Sequence, residues 1–200
     1  MADLGSACEA RLGRGHARHV SGDREGFTRC STFGGMPVVF EYSFTVNPQY
    51  RLFTIFDPTC DEGENVEAAR RTLGHGFFAW GPHAVVARAI DTGTASVAVE
   101  VWDGPPGTPG GTPDGIAVAE LALPGGRFSS IQALEPAVHV GVELPTGAGT
   151  YGARIAAYNR GVSGGFAPED AGLFPGRFEA YRLQLWKISD EPSWPDDDDE

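Results

Sequence analysis

Apolar and polar residues alternate with a period of two along most of the chain between residues 39 and 187. The pattern is clearest near the C-terminus, where one face of 151–158 carries Tyr151, Ala153, Ile155 and Ala157 and one face of 181–186 carries Tyr181, Leu183 and Leu185. Such alternation is typical of strands with one face in a core and the other toward solvent. The predicted strands are 39–46, 52–56, 76–80, 83–90, 96–102, 116–123, 138–144, 151–158 and 181–186.

Three segments refine this prediction. Leu52–Phe56 is apolar on both faces, which predicts a central strand. Pro145-Thr146-Gly147 separates strands 138–144 and 151–158, so it predicts a hairpin between them. Asn65–Leu73 is helix-like, because Asn65 is a suitable cap and Gly74 ends the pattern. We therefore expect an all-β fold: an antiparallel β-sandwich of two packed sheets with at most one short helix.

One face of the predicted strand 138–144 is entirely apolar. Val138, Val140, Val142 and Leu144 alternate there with His139, Gly141 and Glu143. This pattern predicts that all four apolar side chains face the core.

The ends of the chain differ from its middle. Residues 1–27 lack apolar periodicity, which predicts a flexible N-terminal arm. Residues 28–189 are expected to form the β-sandwich domain, and residues 190–200 an acidic disordered tail. Two long loops interrupt the domain, at 104–114 and at 161–176. The first consists mainly of glycine and proline, so it is expected to be mobile.

The chain is acidic, with 27 Asp and Glu against 15 Lys and Arg and a net charge of −12. Nucleic acids and anionic membranes bind basic surfaces, so neither is an expected partner. The charge is compatible with a basic protein partner. An ordinary solvated acidic surface would have the same composition, and that alternative stays open. The oligomeric state also stays open.

The cysteines indicate the cellular compartment. Cys8, Cys30 and Cys60 are odd in number and form no Cys-x-x-Cys pair, so neither a structural zinc site nor a disulfide scaffold is predicted. The sequence has no apolar leader and no apolar run long enough for a membrane span. A cytoplasmic protein is therefore expected.

No recognisable catalytic motif occurs. The sequence lacks a Gly-x-Ser-x-Gly nucleophile elbow, and no cysteine has a typical catalytic context. His75 and His83 bracket an aromatic run and would supply two metal ligands at most, whereas a zinc site needs three or four. We predict no catalytic residue, no metal site and no cofactor, which favours a binding role without excluding an enzyme.

The most acidic part of the predicted domain is the loop 57–64, DPTCDEGE. Its carboxylates at Asp57, Asp61, Glu62 and Glu64 are the predicted partner-binding residues, because no basic residue interrupts them and a strand precedes them. Calcium coordination is an alternative, although the spacing does not match an EF-hand loop. A plain solvated loop is another.

A second function class also stays open. A β-sandwich enzyme or carbohydrate-binding protein would use a cleft formed by the long loops. Strand aromatics such as Trp80 and Trp102 would then contact a sugar. Aromatic residues on strands more commonly belong to the core, since they bury a large apolar area.

Several segments resemble the competence protein J family. They are GHGFFAWGPHAVVARAIDTGTASVAVEVWD at 74–103, FTVNPQYRLFTIFD at 44–57, ELPTGAGTYGARIAAYNR at 143–160 and YRLQLW at 181–186. The arm, the loop 104–114 and the acidic tail depart from that family. The resemblance implies a small β-sandwich that acts as a cytoplasmic inhibitor of a DNA-entry nuclease, and hence a protein-binding role. It supplies no motif of inhibitory residues.

Overall fold

The alternating segments form strands in the structure, a computed structural model that describes residues 36–60, 67, 71, 73–90, 92–132, 139–161 and 179–192. The strands in these ranges are β1 (Val38–Val46), β2 (Leu52–Phe56), β3 (Phe78–Trp80), β4 (Ala84–Arg88), β5 (Ala95–Trp102), β6 (Gly115–Leu123), β7 (Arg127–Gln132), β8 (His139–Glu143), β9 (Gly149–Tyr158) and β10 (Ala180–Ser189).

The strands make two five-stranded sheets. Sheet I has the order β1-β5-β10-β9-β6, and sheet II has the order β3-β4-β2-β7-β8. The predicted all-β sandwich of two packed sheets is confirmed. One pair departs from the expected antiparallel arrangement, because β10 runs parallel to β5. No hairpin joins these two strands, so their direction is not set by a tight turn.

The core lies between the sheets and follows the predicted alternation. In sheet I it includes Val97, Val99 and Val101 of β5, and the odd-numbered residues 151–157 of β9 and 181–185 of β10 pack beside them. Phe53 of sheet II meets Tyr181 of sheet I edge to face, with ring centroids 4.8 Å apart. Complete burial of one large apolar side chain stabilises the fold by about 1.5–3 kcal/mol, so these faces hold the two sheets together.

The predicted position of β2 is confirmed, since it lies between β4 and β7 in the middle of sheet II. The predicted hairpin at 145–147 is wrong. β8 pairs with β7 in sheet II, whereas β9 pairs with β6 and β10 in sheet I. The turn therefore carries the chain from one sheet to the other.

The prediction for the valines of β8 is wrong at one position. Val140 is 71% exposed, whereas Val142 packs against the core and Leu144 belongs to it. The register between β7 and β8 shifts between Phe128 and Ser130, and Gly141 has a φ of +63°. An extra residue at such a bulge changes which face the following side chains occupy. Val138 lies outside the described residues.

Parts of the predicted organisation fall outside the described ranges. Glu67 and Arg71 of the predicted helix are helical and form an exposed ion pair of 3.5 Å across one turn. The arm 1–27, most of the loop 161–176 and residues 193–200 of the tail are not among the described residues. The domain boundaries therefore stay predictions. In the described part of the chain, no helix is long and apolar enough to cross a membrane.

Candidate functional site

One end of the sandwich gathers four connecting segments that lie far apart in the sequence. Gly125 N donates to Asp57 Oδ2 at 2.6 Å, which joins the loop after β2 to the turn between β6 and β7. Lys187 Nζ donates to the carbonyl oxygen of Thr146 at 2.7 Å, which joins β10 to the turn before β9. We call this end, formed by residues 57–60, 124–126, 143–148 and 187–192, the acidic end.

Asp57 is the first predicted site residue, and it is fully buried. Its Oδ1 accepts hydrogen bonds from Thr59 N at 2.8 Å and Thr59 Oγ1 at 2.7 Å, while Oδ2 accepts the bond from Gly125. A carboxylate with these internal donors fixes the start of the loop and is not available to a partner. The prediction that Asp57 contacts a partner directly is therefore not supported by its position.

Gly125 is required for this arrangement. A Cβ atom at that position would lie 2.6 Å from Asp57 Oδ1 and 2.7 Å from Thr59 Oγ1. The absence of a side chain allows the backbone N–H to approach the carboxylate closely. The β6–β7 turn thus holds the base of the acidic loop in one position.

The other predicted site residues, Asp61, Glu62 and Glu64, lie outside the described residues. The structure describes the chain as far as Cys60, which is at the acidic end. The described part of β10 and its extension finishes at the same end, where Thr150 Oγ1 donates to the carbonyl oxygen of Glu191 at 2.8 Å. In the sequence, the two acidic segments 61–64 and 196–200 therefore both continue from this end.

Exposed carboxylates are also present on the described surface of the acidic end. Glu143, Asp190 and Glu191 are all exposed. Lys187 Nζ lies 2.6 Å from Asp190 Oδ1, and this hydrogen bond together with the charge of Lys187 lowers the pKa of the Asp190 carboxyl. This contact neutralises one of the three carboxylates and leaves the surface negative.

The wider surface has the same sign. Among the described residues, the exposed acidic side chains are Glu67, Asp103, Asp114, Glu120, Glu143, Asp190 and Glu191, whereas the exposed Lys and Arg side chains are Arg51 and Arg71. The less exposed cations Arg154, Arg160, Arg182 and Lys187 direct their charged groups to acceptors within the chain. Within the described ranges, most of the cations thus make internal contacts, whereas seven carboxylates are exposed.

The outer face of sheet I shows this internal use of cations. Glu100 is buried and pairs with Arg182 Nε at 3.0 Å. Glu100 Oε2 also accepts hydrogen bonds from Trp102 Nε1 and Gln184 Nε2, each at 2.9 Å. Arg154 Nη2 donates at 2.6 Å to Gln184 Oε1 and to the carbonyl oxygen of Gly107. The glycine and proline loop is therefore held against this face.

The end opposite the acidic end is also built from charged residues. Arg160 and Glu179 form a buried ion pair of 3.0 Å, and Tyr181 Oη donates to Glu179 Oε1 at 2.6 Å. Arg160 Nη1 donates to the carbonyl oxygen of Arg88 at 2.6 Å, and Ile90 N donates to Glu179 Oε2 at 2.9 Å. Burial, followed by the charge of Glu179, raises the pKa of Tyr181. We call this group the clamp.

The remaining candidates from the sequence have structural positions. Trp102 is buried and bonded to Glu100, and Trp80 packs against the core, so neither ring is an open platform for a sugar. His83 is buried with Nδ1 3.1 Å from the carbonyl oxygen of Ala122, whereas His75 is exposed. Across the described ranges, no three His, Cys, Asp or Glu side chains are grouped as metal ligands.

Cys60 is half-buried and has no disulfide partner among the described residues. Burial and the nearby charge of Asp57 raise the pKa of its thiol. A raised pKa keeps the protonated form at neutral pH, and only the thiolate is a strong nucleophile. The position of Cys60 at the base of the acidic loop therefore does not indicate catalysis.

No protein-family profile matches this chain, and no curated protein matches its sequence. Two solved structures have a similar fold. One is ComJ from Bacillus subtilis, described as an inhibitor of the DNA-degrading activity of NucA, with 10% identity, a TM-score of 0.47 and coverage of 74% of this chain and 96% of ComJ. The other is the crocagin biosynthetic gene J product, with 16% identity, a TM-score of 0.50 and coverage of 74% and 95%.

The resemblance to the competence protein J family is confirmed as a distant similarity of structure. At these identities the similarity concerns the fold alone. It includes no partner residue and no reaction.

Proposed function

We propose that the chain is a protein-binding module that sequesters a basic partner, and that this partner is a nuclease or a toxin. The observation that carries the proposal is the separation of charge on the described surface. Among the described residues, exposed carboxylates outnumber exposed cations, and most of the other described cations are bonded within the chain. A surface of one sign attracts a partner of the opposite sign and accelerates association.

The acidic end is the proposed contact surface. Asp57 and Gly125 fix the base of the loop that continues to Asp61, Glu62 and Glu64. A loop that begins from a fixed point presents its carboxylates with a smaller loss of conformational entropy on binding. Glu143 and Glu191 extend the negative surface beside that point.

A nuclease is a suitable partner on chemical grounds. Proteins that grip phosphates do so with Lys and Arg, so a nuclease presents a basic surface. An acidic module that covers this surface competes with nucleic acid and thereby inhibits the enzyme. ComJ, whose fold is similar, is described as an inhibitor of NucA, and that description motivates the choice of partner class.

The test begins with affinity capture from the native cell and identification of basic proteins by mass spectrometry. The purified partner is then mixed with wild-type chain and with the variant D61N/E62Q/E64Q in stopped-flow measurements. We expect the variant to associate several-fold more slowly at low ionic strength and to show a flatter salt dependence, because charges at an interface rim act mainly on the association rate.

The control is D103N, which removes a single exposed carboxylate at the same end of the sandwich but at the opposite edge of sheet I from the β6–β7 turn. It should leave the association rate nearly unchanged. An unchanged rate for the triple variant at low salt would mean that the loop is only a solvated turn. Loss of nucleic-acid cleavage by the partner on addition of wild-type chain tests inhibition separately.

A further inference from the structure

The outer edge of β6 is an unusual feature of sheet I. β6 is nine residues long and pairs with β9 from Gly115 to Leu123 without a register shift. Its other side has no strand partner in the sheet order. The other edges are shorter or irregular, since β3 has three residues and the pairings of β1 and β8 both contain shifts.

The backbone of β6 presents free hydrogen-bonding groups at this edge. Ala122 N donates to the carbonyl oxygen of Pro82, away from β9. Because backbone groups alternate along a strand, the N–H and C=O groups of Ile116, Val118 and Glu120 point in the same direction. In the described part of the chain, no hydrogen bond occupies these groups.

The register across sheet I gives the same result independently. Ser96 N donates to the carbonyl oxygen of Glu179, so the backbone N–H and C=O groups of the odd-numbered residues of β10 point toward β5. Because this direction alternates along each strand, the register through β10 and β9 makes the N–H and C=O groups of the odd-numbered residues of β6 point toward β9. The even-numbered residues of β6 consequently face the open edge.

The side chains at this edge combine apolar exposure with negative charge. Ile116 is 48% exposed and Val118 is 62% exposed. Glu120, on one side of them, is an exposed carboxylate; Asp114, on the other side, is also exposed, and its Oδ2 accepts a hydrogen bond from Arg160 N at 2.9 Å. β6 contains no proline and no lysine, its pairing with β9 has no register shift, and Glu120 is its one charged residue. Proline, bulges and charged side chains are features that usually prevent pairing at an edge strand.

We propose that β6 is a docking strand, to which a partner protein adds an extended segment with alternating apolar residues flanked by Lys or Arg. The proposal rests on the proposed function only in that the partner is a basic protein. The apolar positions would pack beside Ile116 and Val118, and the cations would meet Asp114 and Glu120. Arg154, opposite Val118 on β9, does not oppose this charge pattern because its guanidinium is bonded to Gln184 and Gly107.

A second copy of the chain is a poorer occupant. Two copies would each carry a net charge of −12. In an antiparallel pairing centred on residue 117, Glu120 of each copy would lie opposite Asp114 of the other, whereas a pairing centred on residue 118 would place Glu120 opposite Ile116 with no cation to meet it. Like charges directly opposite each other destabilise strand pairing, so charge complementarity favours a basic segment.

The experiment uses a synthetic peptide, acetyl-Lys-Thr-Val-Thr-Val-Thr-Lys-amide, whose valines and lysines share one face, and amide hydrogen exchange followed residue by residue by NMR. In the free chain, Ile116, Val118 and Glu120 should exchange at least tenfold faster than Ala117 and Ala119. Saturating peptide should slow the three even-numbered amides at least tenfold. The same peptide with N-methyl groups on alternate residues should not, because it cannot form the ladder.

V118K should weaken peptide binding at least tenfold, whereas V140K, at the exposed valine of β8, should leave it unchanged. Equal binding to V118K, or no protection at millimolar peptide, would overturn the proposal. Equal binding of a peptide with Glu at both ends would overturn the basic preference. Protection that rises with protein concentration alone would identify a second copy as the occupant.

The peptide assay tests the edge without the loop. If the peptide does not protect β6 but D61N/E62Q/E64Q still associates more slowly with the partner at low salt, the docking strand is ruled out and the proposed function stands. The reverse result would retain the docking strand and remove the role of the loop.

Discussion

The two ends of the sandwich use the same charged residue types for different purposes. At the clamp, Arg160 and Glu179 are buried and each makes several internal bonds. At the acidic end, Glu143 and Glu191 are exposed. Charge that is buried and bonded is costly to leave without its partner, whereas exposed charge of one sign is available to another protein. Burial, more than residue type, therefore separates the two roles.

The largest expected effect comes from opening the clamp. Glu179→Ala leaves Arg160 buried without its counter-ion and removes the acceptor of Tyr181 Oη and Ile90 N. Removal of one partner of a buried ion pair typically costs about 3–5 kcal/mol. Urea denaturation should show a loss of that size in the free energy of unfolding. Glu191→Ala, at the acidic end, should change the free energy of unfolding by less than about 0.5 kcal/mol. Similar losses for the two variants would contradict the distinction between the ends.

A smaller effect is expected at the base of the acidic loop. Asp57→Ala leaves Gly125 N and Thr59 N without an acceptor. Unsatisfied buried donors cost about 1–3 kcal/mol, so the variant should unfold at lower urea. Asp57→Asn keeps one acceptor oxygen and should recover part of the loss. If Asp57→Ala is as stable as wild type, the Asp57 carboxylate has no structural role, and the distinction from the exposed carboxylates is wrong.

The sequence predicted the strands whose two faces differ clearly. The alternation in β5, β9 and β10 identified their core faces, and the uniformly apolar β2 was correctly placed at the centre of a sheet. These features depend on local residue order, which is visible without the fold. β7 was not predicted, because Ser129 and Ser130 are fully buried and interrupt the apolar pattern.

The contacts that decide the candidate site are long-range. Asp57 meets Gly125 across 68 residues of sequence, so its burial does not appear in the pattern of the loop itself. Likewise, β5 and β10 pair in parallel although the strands between them belong to both sheets. The sequence identified an acidic loop, but it could not distinguish the buried carboxylate of Asp57 from the other three, which are still predicted to bind a partner.

A weak effect with a defined pH dependence is expected at Asp190. Its hydrogen bond and charge interaction with Lys187 lower the pKa of the carboxyl in the folded state. The resulting stabilisation is therefore present above the unfolded pKa, near 3.8, and is lost as pH falls through the lower folded value. The melting temperature of Asp190→Asn should lie slightly below that of wild type at pH 7 and match it near pH 2. A difference that grows in acid would contradict this contact.

The smallest effect on stability is expected from removing the chain ends. The arm 1–27 has no apolar period, and residues 193–200 contain five carboxylates and no cation. Segments of this composition have little to bury, so deletion of both should leave the melting temperature within about 2 °C of wild type. If the melting temperature falls, separate deletions of 1–27 and of 193–200 show which segment is responsible. A drop of more than several degrees in either would mean that this segment packs on the domain, and the tail could then no longer be treated as surface charge.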